Sequence, residues 1–117
     1  MTDLVACLST GKGTWLEVSK LMKAEEWNKI YLIAPKFSME RFTHDKKFEF
    51  VEINPDAEVD DIKNKIIEQL KGRLGIDTAI NLTSGSGKEH MAVISAAIAL
   101  GSGIRLVTLK NNKMAEV

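Results

Sequence analysis

Two short stretches hold most of the residues that could do chemistry. One is Ser9-Thr10-Gly11-Lys12-Gly13-Thr14 and the other is Thr83-Ser84-Gly85-Ser86-Gly87-Lys88. Each combines glycines, hydroxyl side chains and one lysine. Glycines let backbone N–H groups approach a ligand closely, and hydroxyls and an ammonium add further donors. That donor set suits a phosphate or another anion, above all where a helix begins just after the loop. The competing reading is that the glycines only make turns and the lysines are solvated.

Two well-defined phosphate motifs fail on single residues. Gly11-Lys12-Gly13-Thr14-Trp15-Leu16 opens like the dinucleotide fingerprint G-x-G-x-x-G, but Leu16 stands where the third glycine belongs. The second predicted strand ends at Ala34-Pro35, without the acidic residue that would hold a ribose. Gly85-Ser86-Gly87-Lys88 is similar to the end of a P-loop, but Leu82 replaces the first glycine and Glu89 the magnesium-binding hydroxyl. NAD-type binding and Walker-type NTP hydrolysis are therefore not expected. Anion recognition by both loops together survives.

The other reactive side chains are few. His44 sits among Asp45, Lys46 and Lys47 and reads as solvated. His90 falls in the first turn of a predicted helix, where packing, capping and catalysis are all open. Glu89 beside it suits the helix dipole or general acid–base work. No third ligand accompanies the histidines, so no metal site is expected. The single cysteine, Cys7, excludes an internal disulfide and reads as a buried packing residue. Trp15 and Trp27 read as core or interface residues.

Composition is that of an ordinary soluble domain. The 117 residues are 44% apolar and 27% charged, with 16 basic and 16 acidic side chains giving net zero. A balanced charge supplies no overall attraction to DNA or membrane, and stable DNA binding is not expected. Asp3 and the short apolar run after it do not fit a signal peptide, and no run approaches a membrane span, so a cytoplasmic location is expected. A single domain over 1–117 is expected.

The elements that position the two loops follow from periodicity. Leu4–Leu8, Lys29–Ala34 and Ile76–Leu82 are apolar runs that suit buried strands; Phe48–Ile53 alternates, and Ile104–Leu109 completes five. Thr14 is a candidate N-cap for a helix from Trp15 to about Ala24. Val59, Ile62, Ile66, Leu70 and Leu74 recur at spacings of three and four, with Gly75 as the expected stop and Lys71 and Arg73 in the last turn. Lys88–Leu100 is apolar on nearly every side and reads as a buried helix. Residues 37–43 suit a short helix or an irregular loop, a mobile segment at 36–45 could act as a lid over a crevice, and 110–117 read as a polar, frayed or partner-bound tail. Alternating strands and helices predict an α/β fold: a Rossmann-like three-layer sandwich around a mainly parallel sheet of five or more strands. If the first and fourth strands are neighbours, both donor-rich loops flank one crevice.

The segment AINLTSGSGKEHMAVISAAIALGSGIRLVTL resembles the signature of CARF domains, the CRISPR-associated Rossmann-like sensors. In that family a strand ending in an N-x-T-type sequence leads into a T-G-G-T-K-x-M-like turn, a small-residue helix and another strand. Asn81, Thr83, Gly85, Lys88 and Met91 are the matching positions. The resemblance implies a homodimer that binds a cyclic oligoadenylate across its two-fold axis, without a cofactor. The ligand would be met by Ser9, Thr10, Gly11, Lys12 and Gly13 of the first loop and Thr83, Ser84, Gly85, Ser86, Gly87, Lys88 and Met91 of the fourth, its phosphates on backbone N–H groups, hydroxyls and the lysine and its adenines in side pockets. In a ring nuclease of this kind, Lys88 and Lys12 would stabilise the charge that develops as a ribose 2′-hydroxyl attacks the phosphate. A sensor acting alone, a subunit of a larger assembly and a small ring nuclease are the three expectations. The alternative is a general nucleotide-binding or protein-interaction module without catalysis.

Overall fold

The computed structural model describes residues 2–8 and 12–117, without the side chain of Lys12. Six strands, β1 (Asp3–Cys7), β2 (Ile30–Ala34), β3 (Glu49–Glu52), β4 (Asp77–Asn81), β5 (Gly103–Lys110) and β6 (Lys113–Glu116), form one sheet. Four α-helices among the described residues surround it: α1 (Trp15–Ala24), entered through a 3-10 turn at Lys12–Thr14, α2 (Lys36–Met39), α3 (Val59–Leu70) and α4 (Gly87–Ala99). The strand order is β3-β2-β1-β4-β5-β6, parallel throughout except for the antiparallel edge pair β5–β6. β1 therefore lies between β2 and β4, and the order reverses beside it.

The alternation of strand side chains divides the core in two. Leu4, Ala6 and Leu8 join Val18, Leu21 and Met22 of α1. Val5 and Cys7 join Ile62, Ile66 and Leu70 of α3 and Ala92, Val93 and Ala96 of α4. β1, β2 and β4 are buried along both sides, which is why apolar residues fill most of them without alternation, with Asp3, Thr78 and Asn81 as buried polar exceptions. The edge strand β3 has one buried residue, Val51, as its alternating sequence suggests.

Several boundaries differ from the sequence expectation. α3 stops at Leu70, and Gly72, not Gly75, takes the left-handed conformation after it (φ +75°). Arg73 therefore lies beyond the helix, where it pairs with Glu49 and stacks over the Tyr31 ring at 5.3 Å. The Gly75 N–H instead donates to the buried Asp3 carboxylate at 2.9 Å, and Asn28 donates to the other oxygen at 2.9 Å. Asp3 thus ties the amino ends of β1, β2 and β4 together. Thr14 precedes α1 but makes no side-chain cap.

The tail is not frayed. Asn111 and Asn112 both adopt left-handed backbone (φ 53° and 61°), making the two-residue turn that suits a tight hairpin. β6 folds back on β5 as a result, and Arg105 bridges Glu116 at 2.9 Å and Asp77 at 3.4 Å. Residues 36–39 form α2. The loop after them is pinned, with Phe42 buried and edge-on to Trp15. His44 is half-buried rather than solvated: its ring bonds the Ser19 carbonyl and the Lys46 N–H and stacks on Phe42. Met39 and Phe42 of that segment pack into the core on the α1 side of the sheet.

Candidate functional site

β1 and β4 are paired in register from Asp3–Thr78 to Ala6–Asn81. The chain leaving each strand therefore emerges at the same edge of the sheet. Ser9, Thr10 and Gly11 lie outside the described residues, so the geometry available is that of Lys12–Thr14 and of the whole fourth loop.

The fourth loop is tied down from three sides. Asn81 is buried, and its amide donates to the Thr83 hydroxyl and the Val107 carbonyl, both at 3.0 Å, while its oxygen accepts from the Thr83 N–H. Gly85 has φ +100°, and a Cβ there would sit 3.2 Å from the Cys7 Cβ and 2.8 Å from a Glu89 oxygen. Only glycine fits that bend. Ser86 caps α4 through a reciprocal pair: its hydroxyl accepts from the Glu89 N–H, and the Glu89 carboxylate accepts from the Ser86 N–H. The His90 ring bonds the Ser84 carbonyl at 2.8 Å, which gives it a positioning role in the loop.

These bonds change the list of available donors. The Thr83 and Ser86 hydroxyls are engaged inside the loop, and Ser84 is buried. They hold the bend in shape. What faces outward is the start of α4. The N–H groups of Gly87 and Lys88 have no acceptor among the described residues, and the Lys88 side chain is exposed without an ion pair among them. Helix N-terminal N–H groups and an ammonium are an anion's natural partners. Met91 follows Lys88 on the same side of the helix and is 63% exposed.

Glu89 is buried beside Cys7 and shapes its chemistry. Burial first, then the Glu89 charge, push the Cys7 thiol up to about 12, so it stays neutral and unreactive at neutral pH. The packing role expected of Cys7 agrees with its position in the core.

Gly13 is placed differently. It lines a hollow of about 370 Å³ with Leu16, Lys20 and Asn112, between α1 and the β5–β6 turn. Thr83 borders another of about 260 Å³ with Leu82 and Leu106. A roomier cavity than these two, about 660 Å³, opens beyond the ends of β2 and β3, between α2 and α3. No motif marked it, because its lining is drawn from three separated segments. Among the described residues, no three His, Cys, Asp or Glu side chains group as metal ligands, and no helix is long and apolar enough to cross a membrane. No known family model matches this chain, and a search of curated proteins found no match.

Proposed function

We propose that the protein is a dimeric nucleotide sensor whose ligand sits at the β1–β4 edge, and that its ligand is a cyclic oligoadenylate. The observation that carries this reading is the adjacency of β1 and β4, with Gly85 packed on Cys7. It brings the donor-rich fourth loop to the point where the first loop begins. Strand-order reversal at this point is where open α/β sheets bind ligands. The reading adopts a Rossmann-like three-layer sandwich and a cytoplasmic location, and it rests on the CARF-like motif over Asn81, Thr83, Gly85, Lys88 and Met91. Phosphates would meet the N–H groups of Gly87 and Lys88 and the Lys88 ammonium.

The second copy has a surface to dock on. No charged residue occurs between Met91 and Ile104, yet Met91 and Ile98 on α4 are exposed, as is Leu106 on β5. An uncharged apolar stripe repels no copy of itself, so it suits the self-complementary contact of a two-fold dimer. Lys88 and Met91 lie at the end of that stripe, which would bring two fourth loops to one ligand.

Calorimetry with cyclic tri-, tetra- and hexa-adenylate and their linear counterparts tests the reading, with sedimentation for the dimer. Binding of a cyclic form by a dimer, weakened at least tenfold in Lys88→Ala, is expected. A monomer that binds no nucleotide overturns it. Cleavage is tested separately by incubating the ligand in EDTA: slow turnover lost in Lys88→Ala marks a ring nuclease, and an intact ligand marks a sensor alone. The second reading is a nucleotide-binding or interaction module without catalysis. The internal engagement of the Thr83 and Ser86 hydroxyls favours it over catalysis, because those groups are occupied in holding the bend.

A further inference from the structure

We infer that the cavity between α2 and α3 is a second ligand site, separate from the β1–β4 edge, and that it takes a nucleoside monophosphate. Its volume of about 660 Å³ lies within the usual range for small-molecule sites. Its floor is apolar, made by Pro35, Ile53 and Ile62, all buried. Phe37, Pro55 and Ala57 complete the walls. A flat ring would slide between these surfaces and bury them.

The walls are held in place before any ligand arrives. Ile53 N–H donates to the Ala34 carbonyl at 3.0 Å, and the Pro35 carbonyl accepts from Ser38 and Met39. The Asn54 side-chain oxygen accepts from the Asp56 N–H at 3.0 Å, which leaves the amide NH2 available as a donor. Phe37 carries the Arg41 guanidinium 3.9 Å above its ring, and Arg41 also donates to the Phe37 carbonyl at 3.0 Å. Both prolines of the chain, Pro35 and Pro55, line this one cavity. A pre-shaped wall reduces the ordering that binding would otherwise demand.

The charges at the mouth favour a nucleotide over a purely apolar guest. Lys36 and Lys65 stand there with Glu52 and Asp61. Asp61 and Lys65 are four apart on α3, the spacing at which such residues pair. Yet none of these four side chains forms an ion pair among the described residues. Two ammonium groups left unpaired beside an apolar slot suit a phosphate attached to a ring. Two carboxylates left unpaired suit the sugar hydroxyls or a ring amine between them.

The test uses the full chain, isotope-labelled, titrated with AMP, GMP, CMP and UMP, and with adenosine, inorganic phosphate and phenylalanine as controls. AMP or another monophosphate should shift the amide resonances of Phe37, Ile53, Ala57, Ile62 and Lys65. Lys36→Ala with Lys65→Ala should weaken monophosphate binding roughly tenfold or more and leave adenosine unaffected. Ala57→Trp should block both, with an unchanged far-UV spectrum showing that the fold is kept. Unmoved resonances in this cavity, shifts confined to 83–91, or binding of phenylalanine in preference to every nucleotide would each overturn the inference. Lys88→Ala should leave monophosphate binding here intact. A chain that binds AMP here and no cyclic oligoadenylate therefore upholds this site and removes the other.

Discussion

The same edge of the sheet is built in two opposite ways. Beyond β4 the chain is dense and polar, and its side chains satisfy one another: Asn81 holds Thr83, Ser86 and Glu89 hold each other, and Gly85 presses on Cys7. Beyond β2 and β3 the chain frames a hollow with an apolar floor, and Lys36, Glu52, Asp61 and Lys65 at its mouth form no ion pair among the described residues. The difference teaches where constraint and vacancy lie. A glycine-rich motif reports a backbone that has no freedom, while the space for a guest is framed by residues that look ordinary one by one.

This contrast is testable by perturbing each region. The largest effect is expected for Gly85→Ala. It forces a side chain into left-handed backbone and against Cys7 and Glu89, so denaturant unfolding should report a loss of about 3 kcal/mol. A loss below ~1 kcal/mol would mean that the β1–β4 bend is looser than described.

Taken per unit of pH, alkaline titration should come next. The Cys7 thiol is held neutral in the folded state, so its contribution to stability is complete below the ordinary thiol value of ~8.5. It is lost as pH climbs from there toward about 12. The slope should approach about 1.4 kcal/mol per pH unit, and comparison with Cys7→Ala isolates it from the lysines. Parallel curves for the two proteins would show that the thiol is not shielded.

The smallest effects sharpen the comparison directly. Ser86→Ala removes the cap of α4 and should cost about 1 kcal/mol. Lys65→Ala, at the mouth of the cavity, should stay within ~0.5 kcal/mol of the parent protein. Equal losses from the two would erase the distinction between a braced loop and an open one.

Much of the architecture was legible in the sequence. The apolar runs of β1, β2 and β4 and the spacing of Val59, Ile62, Ile66 and Leu70 gave the elements, because burial on both sides or on one stripe leaves a periodic trace. β6 was missed because Lys113-Met114-Ala115-Glu116 is half polar and its turn uses two asparagines rather than a glycine. Gly75 misled because it stood near the last apolar residue of the pattern, whereas Gly72 supplied the positive φ. α4 was read as buried because hydrophobicity alone does not distinguish a core surface from an uncovered one; Met91 and Ile98 are on the uncovered side. The two donor-rich loops were visible, but not that the fourth turns its hydroxyls inward. Those bonds depend on Asn81 and Glu89, which lie just outside the loop itself.

The pairing of β1 with β4 also sets an order for folding. A chain emerging from the ribosome can zip β1, β2 and β3 together once residue 52 is free. The far edge of β1 must wait for residues 77–81, and until then the apolar run from Leu4 to Cys7 is open to any stray neighbour. Such distant pairing slows the search, so the amino-terminal half is the portion that a chaperone would shield.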